Sequence, residues 1–82
     1  MIRIPSVLSI DQGTSGTMDM VVGRDGRILG KAYSEFSQYF PEPGWVEHDA
    51  MEIWEVTRRV SQIALKDAGS EARVEGIGIT NQ

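Results

Sequence analysis

The octapeptide Ile10-Asp11-Gln12-Gly13-Thr14-Ser15-Gly16-Thr17 ends an apolar run in an acid and then turns through glycines and hydroxyl residues. Val7, Leu8 and Ile10 before it are β-formers and read as a buried strand. Beyond it, Met18, Met20 and Val22 alternate with Asp19 and Val21, so a second strand begins there. The octapeptide is therefore the turn of a tight hairpin. Glycine permits positive φ and close approach of another group to the main chain, and successive N–H groups with Thr or Ser hydroxyls can surround phosphate oxygens. Asp11, at the strand end, is placed to hold a hydrated Mg²⁺ that offsets phosphate charge. Hairpins of this composition are often only turns; the acid directly before the glycines is what gives the phosphate reading weight.

Outward from the hairpin, the methionine face of the second strand reads as core filler. Arg24-Asp25-Gly26-Arg27 supplies a second tight turn, and a third strand runs from Ile28 to about Phe36. Together these make an antiparallel meander. Pro41, Pro43 and Gly44 then break regular structure, and Tyr39, Phe40 and Trp45 imply a loop held down by packing. Trp45 reads as that anchor in preference to a substrate-stacking residue. His48 is the single histidine, with no second His, Cys or nearby base to suggest a metal or catalytic role.

Asp49 to Glu52 has the form of a capping box, opening a helix that should reach Ala68 before Gly69 stops it. At about 100° per residue, Ile53, Val56, Val60, Ile63 and Ala64 share one face, with Trp54 and Leu65 on its flank. Glu55 and Arg59 are spaced for an i,i+4 pair on the opposite, solvated face. Val74 to Thr80 returns to strand character. Its glycines, Gly76 and Gly78, would serve to let a helix approach closely. A strand entered from a helix fits a parallel crossover beside the first strand, which gives an α/β fold of order βββαβ. Ligands of such sheets sit at the carboxyl ends of strands, where both Asp11 and the Thr80-Asn81-Gln82 segment lie.

Composition narrows the function classes. At 82 residues the chain removes only about 60% of its unfolded surface from water, so its core is small. A hydrophobic share of 40% and a charged share of 24% suit an ordinary globular protein and argue against disorder. The net charge of -4 offers no basic stripe for nucleic acid or an anionic membrane, and any phosphate must be bound locally. Absence of cysteine excludes a disulfide framework and thiolate metal sites. The first residues show neither a signal peptide nor a membrane span, so a cytoplasmic location is expected.

The order of elements resembles the first part of the ribonuclease-H-like, actin-like ATPase fold, and within it the FGGY group of sugar and polyol kinases, especially the branch that acts on glycerol. Three stretches carry the resemblance: 10–14 (Ile-Asp-Gln-Gly-Thr), 40–54 (from Phe40-Pro41-Glu42-Pro43-Gly44-Trp45 to Ile53-Trp54) and 76–82 (Gly-Ile-Gly-Ile-Thr-Asn-Gln). It implies that residues 1–82 are the N-terminal segment of the first actin-like domain of a larger kinase using ATP and Mg²⁺. On that basis Gly13, Thr14, Ser15 and Gly16 contact nucleotide phosphates, Asp11 helps place the metal, and Gln82 adjoins the site for glycerol or another small polyol or sugar. No residue here matches the family's catalytic base, so this segment alone is expected to be inactive. A homo-oligomer is possible, and apolar surface is expected where further elements would pack. One departure stands out: these kinases usually carry Arg or Lys where this chain has Met18. The Ser15-Gly16 pair resembles pentulose kinases, which keeps open a pentulose substrate, a catalytically weakened relative or an actin-like scaffold.

Overall fold

The computed structural model describes residues 3–35 and 49–81, forming a four-stranded sheet with one helix. Strand β1 spans Ile4–Gln12, β2 Gly16–Gly23, β3 Ile28–Glu35 and β4 Ala72–Asn81; helix α1 spans Ala50–Ala68. The sheet order is β3-β2-β1-β4. β1 to β3 are antiparallel neighbours, while β4 returns through α1 to lie parallel to β1. The expected βββαβ order and the parallel crossover are both present. Phe36, Tyr39, Phe40, Trp45, His48 and Gln82 lie outside the described residues.

Local chemistry accounts for the boundaries. In the second hairpin Gly26 takes φ 89°, and the Asp25 carboxylate accepts hydrogen bonds from Arg27 N (3.1 Å) and Arg27 Nε (2.7 Å). That geometry is the one an Asp-Gly turn favours. At the start of α1 the Asp49 carboxylate accepts from Met51 N (2.9 Å) and Glu52 N (3.3 Å), satisfying two of the amides that a helix leaves unpaired. Gly69, at φ 71°, ends the helix and donates its N–H to Leu65 O. A turn of 3₁₀ helix, Gly69–Glu71, leads into β4.

α1 lies mainly over β3 and β2. Val56, Val60, Ala64 and Ala68 are its buried residues; Ala64 and Ala68 pack with Leu8, Ile10 and Val21 of the sheet, while Val56 and Val60 form a second cluster against Ala32. Burying Val21 and Val60 completely contributes roughly 1.5–3 kcal/mol each. The stripe is narrower than the sequence suggests, since Ile63, Trp54 and Leu65 are exposed. Small residues bring the helix so close that only one narrow strip of it meets the sheet. The contact centres on Gly30, where an added Cβ would lie 2.5 Å from Ala64 O and 2.5 Å from Ala68 N. Close helix approach is thus the task of Gly30. Gly76 and Gly78 have nothing within 4 Å of an added Cβ.

Two further expectations change. The covered face of β2 is Thr17, Asp19 and Val21, so Met18 lies on the open face, 37% exposed, and is not core filler. Glu55 pairs with Arg58 at 2.9 Å, while Arg59 donates to Ser34 Oγ at 3.2 Å. Arg59 sits on the flank of α1 that reaches β3, which removes it from the solvated i,i+4 pair. Ile77 and Ile79 share a sheet face with Leu8 and Ile10 but are 64% and 68% exposed, because α1 does not extend over β4.

Candidate functional site

The end of β1 and the first hairpin are built on the sheet face away from α1. Register alone assembles the site. Asp11 pairs with Thr80 on one side and Met18 on the other, and Met18 pairs with Tyr33, so these residues form a row across β4, β1, β2 and β3. All four are exposed to solvent. The turn beyond Asp11 is closed by Gly13 N–H donating to Gly16 O at 2.9 Å. Neither Gly13 nor Gly16 has positive φ. Their value is therefore spatial, contrary to the freedom of φ that the sequence suggests. At Gly16 an added Cβ would lie 2.5 Å from Tyr33 Oη and 2.7 Å from Ser34 O, so a larger residue there would collide with β3.

A cavity of about 200 Å³ opens at this point, lined by Asp11, Gly13, Ser15, Gly16, Met18 and Tyr33. Four of the residues named from sequence thus converge. Thr14, at the exposed tip of the turn, is not among the lining residues. Thr80 stands beside Asp11 as the parallel crossover predicts, whereas Tyr33 was not singled out from sequence and reaches the row only through the pairing of β2 with β3. A larger hollow of about 510 Å³ lies at the other end of the strands, over Pro5, Val7 and Val22. Its Arg73 is already paired with Glu75 at 3.2 Å, and no candidate residue faces it.

Behind the row, the covered face holds the loop in place. Gln12 Nε2 donates to Thr57 Oγ1 at 3.3 Å, tying the last residue of β1 to α1. One turn further along, Ser61 Oγ donates to Asp19 Oδ2 at 2.5 Å. Asp19 is fully buried, and its second oxygen and Thr17 Oγ1 have no partner among the described residues. Burial raises the Asp19 carboxyl above its ordinary value, and the Ser61 hydrogen bond only partly opposes this.

The donor set of the cavity fits phosphate held with a hydrated cation. Asp11 is exposed and makes no ion pair among the described residues. Among the described residues no group of three or more His, Cys, Asp or Glu is gathered. A single carboxylate cannot cage a metal alone, but it suits Mg²⁺ that keeps waters and takes its remaining ligands from phosphate oxygens. Ser15 Oγ and Tyr33 Oη are hydroxyl donors in the lining, and no basic side chain is among them.

Residues 6–82 match the N-terminal domain of the FGGY family of carbohydrate kinases. The chain belongs to that family. A glycerol kinase of Haloferax volcanii is 55% identical over 75 residues, covering 90% of this chain and 15% of the relative. One from Alcanivorax borkumensis is 54% identical over 80 residues, covering 96% and 16%. Among solved structures, Plasmodium falciparum glycerol kinase with ADP superposes with a TM-score of 0.85 at 30% identity, over 100% of this chain and 17% of that one. Xylulose kinase from Rhodospirillum rubrum superposes at 0.88 with 28% identity, over 94% and 16%. The chain therefore spans about one sixth of the length of these relatives, and the fold is that of the sugar-kinase N-terminal domain.

Among the described residues no helix is long and apolar enough to cross a membrane.

Proposed function

We propose that this chain is the N-terminal part of an ATP- and Mg²⁺-dependent kinase that phosphorylates glycerol to glycerol 3-phosphate in the cytoplasm, and that its first hairpin is one wall of the nucleotide site. The observation that carries the reading is the shared cavity of Asp11, Gly13, Ser15 and Gly16 at the carboxyl end of β1. High identity to glycerol kinases favours glycerol among the family's substrates. Asp11 holds the metal through its waters. Ser15 and the turn amides orient the phosphates, with Thr14 closing over them from the tip. Bound Mg²⁺ supplies charge neutralisation on the phosphate oxygens. Phosphoryl transfer asks a protein mainly for positioning and electrostatic stabilisation, so these residues cradle and do not react. Gln82 leads toward the polyol site, and the catalytic base comes from elsewhere in the full-length protein. Residues 1–82 alone catalyse nothing in this account.

A second reading, a pentulose kinase, draws on the structural likeness to the R. rubrum xylulose kinase. Full-length protein assayed with ATP and Mg²⁺ against glycerol and D-xylulose decides between them. ADP release with glycerol supports the first reading, release with D-xylulose alone replaces it with the second, and release with neither favours a weakened relative.

A further inference from the structure

The candidate cavity has an acid and hydroxyls but no cation, which raises the question of what meets a phosphate oxygen on its β3 side. Tyr33 stands there. Its partner across β2 is Met18, whose thioether donates no hydrogen bond. The ring leans back along the strand over Gly16, as the 2.5 Å separation between an added Gly16 Cβ and Tyr33 Oη demonstrates. Tyr33 is 53% exposed, and its hydroxyl makes no hydrogen bond among the described residues. A phenol resting on glycine, with no hydrogen-bond partner among the described residues and lining a 200 Å³ cavity, is a donor available to that cavity.

Resting on the kinase reading above, we propose that Tyr33 Oη is a phosphate-binding group, donating a hydrogen bond to an oxygen of the nucleotide diphosphate on the side opposite Asp11. Gly16 then has a second duty besides closing the turn. Lacking a Cβ, it leaves the ring room to lie over the loop, and the pair Gly16 and Tyr33 acts as one device. A neutral donor in this position also fits the local charge, since Met18 brings none and Asp11 is served by the metal.

The test uses the full-length protein. Tyr33→Phe removes one oxygen from a half-exposed ring, so its thermal midpoint should match wild type. Binding of ADP with Mg²⁺, measured by titration calorimetry, should weaken about three- to tenfold, the range for one ordinary hydrogen bond at a partly solvated site. Adenosine, which has no phosphate, should bind both proteins equally. In turnover, KM for ATP should rise while kcat changes less than twofold. Gly16→Ala, which displaces the ring and also presses on the Ser34 backbone carbonyl, should weaken ADP binding at least as much and lower the thermal midpoint, so Tyr33→Phe carries the decision. Unchanged ADP affinity in Tyr33→Phe overturns the proposal while leaving the kinase reading intact. Equal losses for ADP and adenosine also overturn it, because the ring would then serve the site's shape and not phosphate. Failure of the wild-type protein to bind ADP overturns the kinase reading itself, and this proposal with it.

Discussion

On the side covered by α1, the sheet offers Gly30, Ala32 and Val21 to Val60, Ala64 and Ala68, and the backbones approach so closely that a single methyl group has no room. On the other side, one residue along each strand, Asp11, Met18, Tyr33 and Thr80 stand open to solvent. Both faces come from the same strands through a period of two, so each packed strand residue is flanked by residues that face away from α1. The difference teaches that packing and the proposed site are separated by face and not by position along the chain. Gln12 and Asp11 are the sharpest instance: adjacent in sequence, one is tied to Thr57 of the helix and the other is left open.

That contrast can be broken in several ways, in decreasing order of effect. Asp11→Asn in the full-length enzyme should lower kcat about 100-fold or more, on the scale of losing one key charge-stabilising group, with no change in thermal midpoint. A matching loss of stability would mean that Asp11 belongs to the packed side. Gly30→Ala should cost about 1–3 kcal/mol in urea unfolding, because backbone atoms of α1 must shift to admit the methyl group. The same substitution at Gly76, with open space around it, is the control for Gly30 and should stay within about 0.5 kcal/mol. Asp49→Ala should cost about 1 kcal/mol by removing the cap of α1.

The smallest effect concerns Asp19, the one acid on the covered face of β2. Burial holds its carboxyl above the ordinary value of 3.8, so the folded state binds a proton that the unfolded state releases. Its contribution to stability is fully present below 3.8 and is lost as pH rises through the raised value, which leaves the charged form destabilising near neutrality. Asp19→Asn keeps an acceptor for Ser61 and removes the charge. The variant should therefore melt slightly above wild type at pH 7, and the gap should close as pH falls below the ordinary carboxylate value. A gap independent of pH would show that folding does not raise the Asp19 carboxyl.

Much of this organisation was legible in the sequence. Alternation, the Asp25-Gly26 turn, the Asp49 cap and the Gly69 stop each act through neighbouring atoms, and each is found where local chemistry puts it. Two features depend on partners distant in sequence and were not legible. Which face of the meander receives α1 depends on the fit of Ala64 and Ala68 against Gly30, and periodicity cannot distinguish a methionine face from one bearing Asp19 and Val21. Tyr33 escaped notice because of a bulge. Val22 pairs with Ile28, so an unbroken ladder would set Met18, four residues earlier, against Ala32, four residues later; the register shift between Val21 and Val22 sets it against Tyr33 instead. One extra residue in β3 brings the phenol to the site face and turns Ala32 toward the helix.

The central claim is that phosphate binds on the face away from α1, at the carboxyl end of β1. A crystal structure of the full-length protein with ADP and Mg²⁺ tests it most directly. The account predicts the diphosphate over the row of Asp11, Met18 and Tyr33, with Ser15 and the turn within hydrogen-bonding distance and Asp11 meeting the metal through water. A diphosphate bound on the α1 side of the sheet, or at the far hollow over Pro5 and Val22, would contradict it.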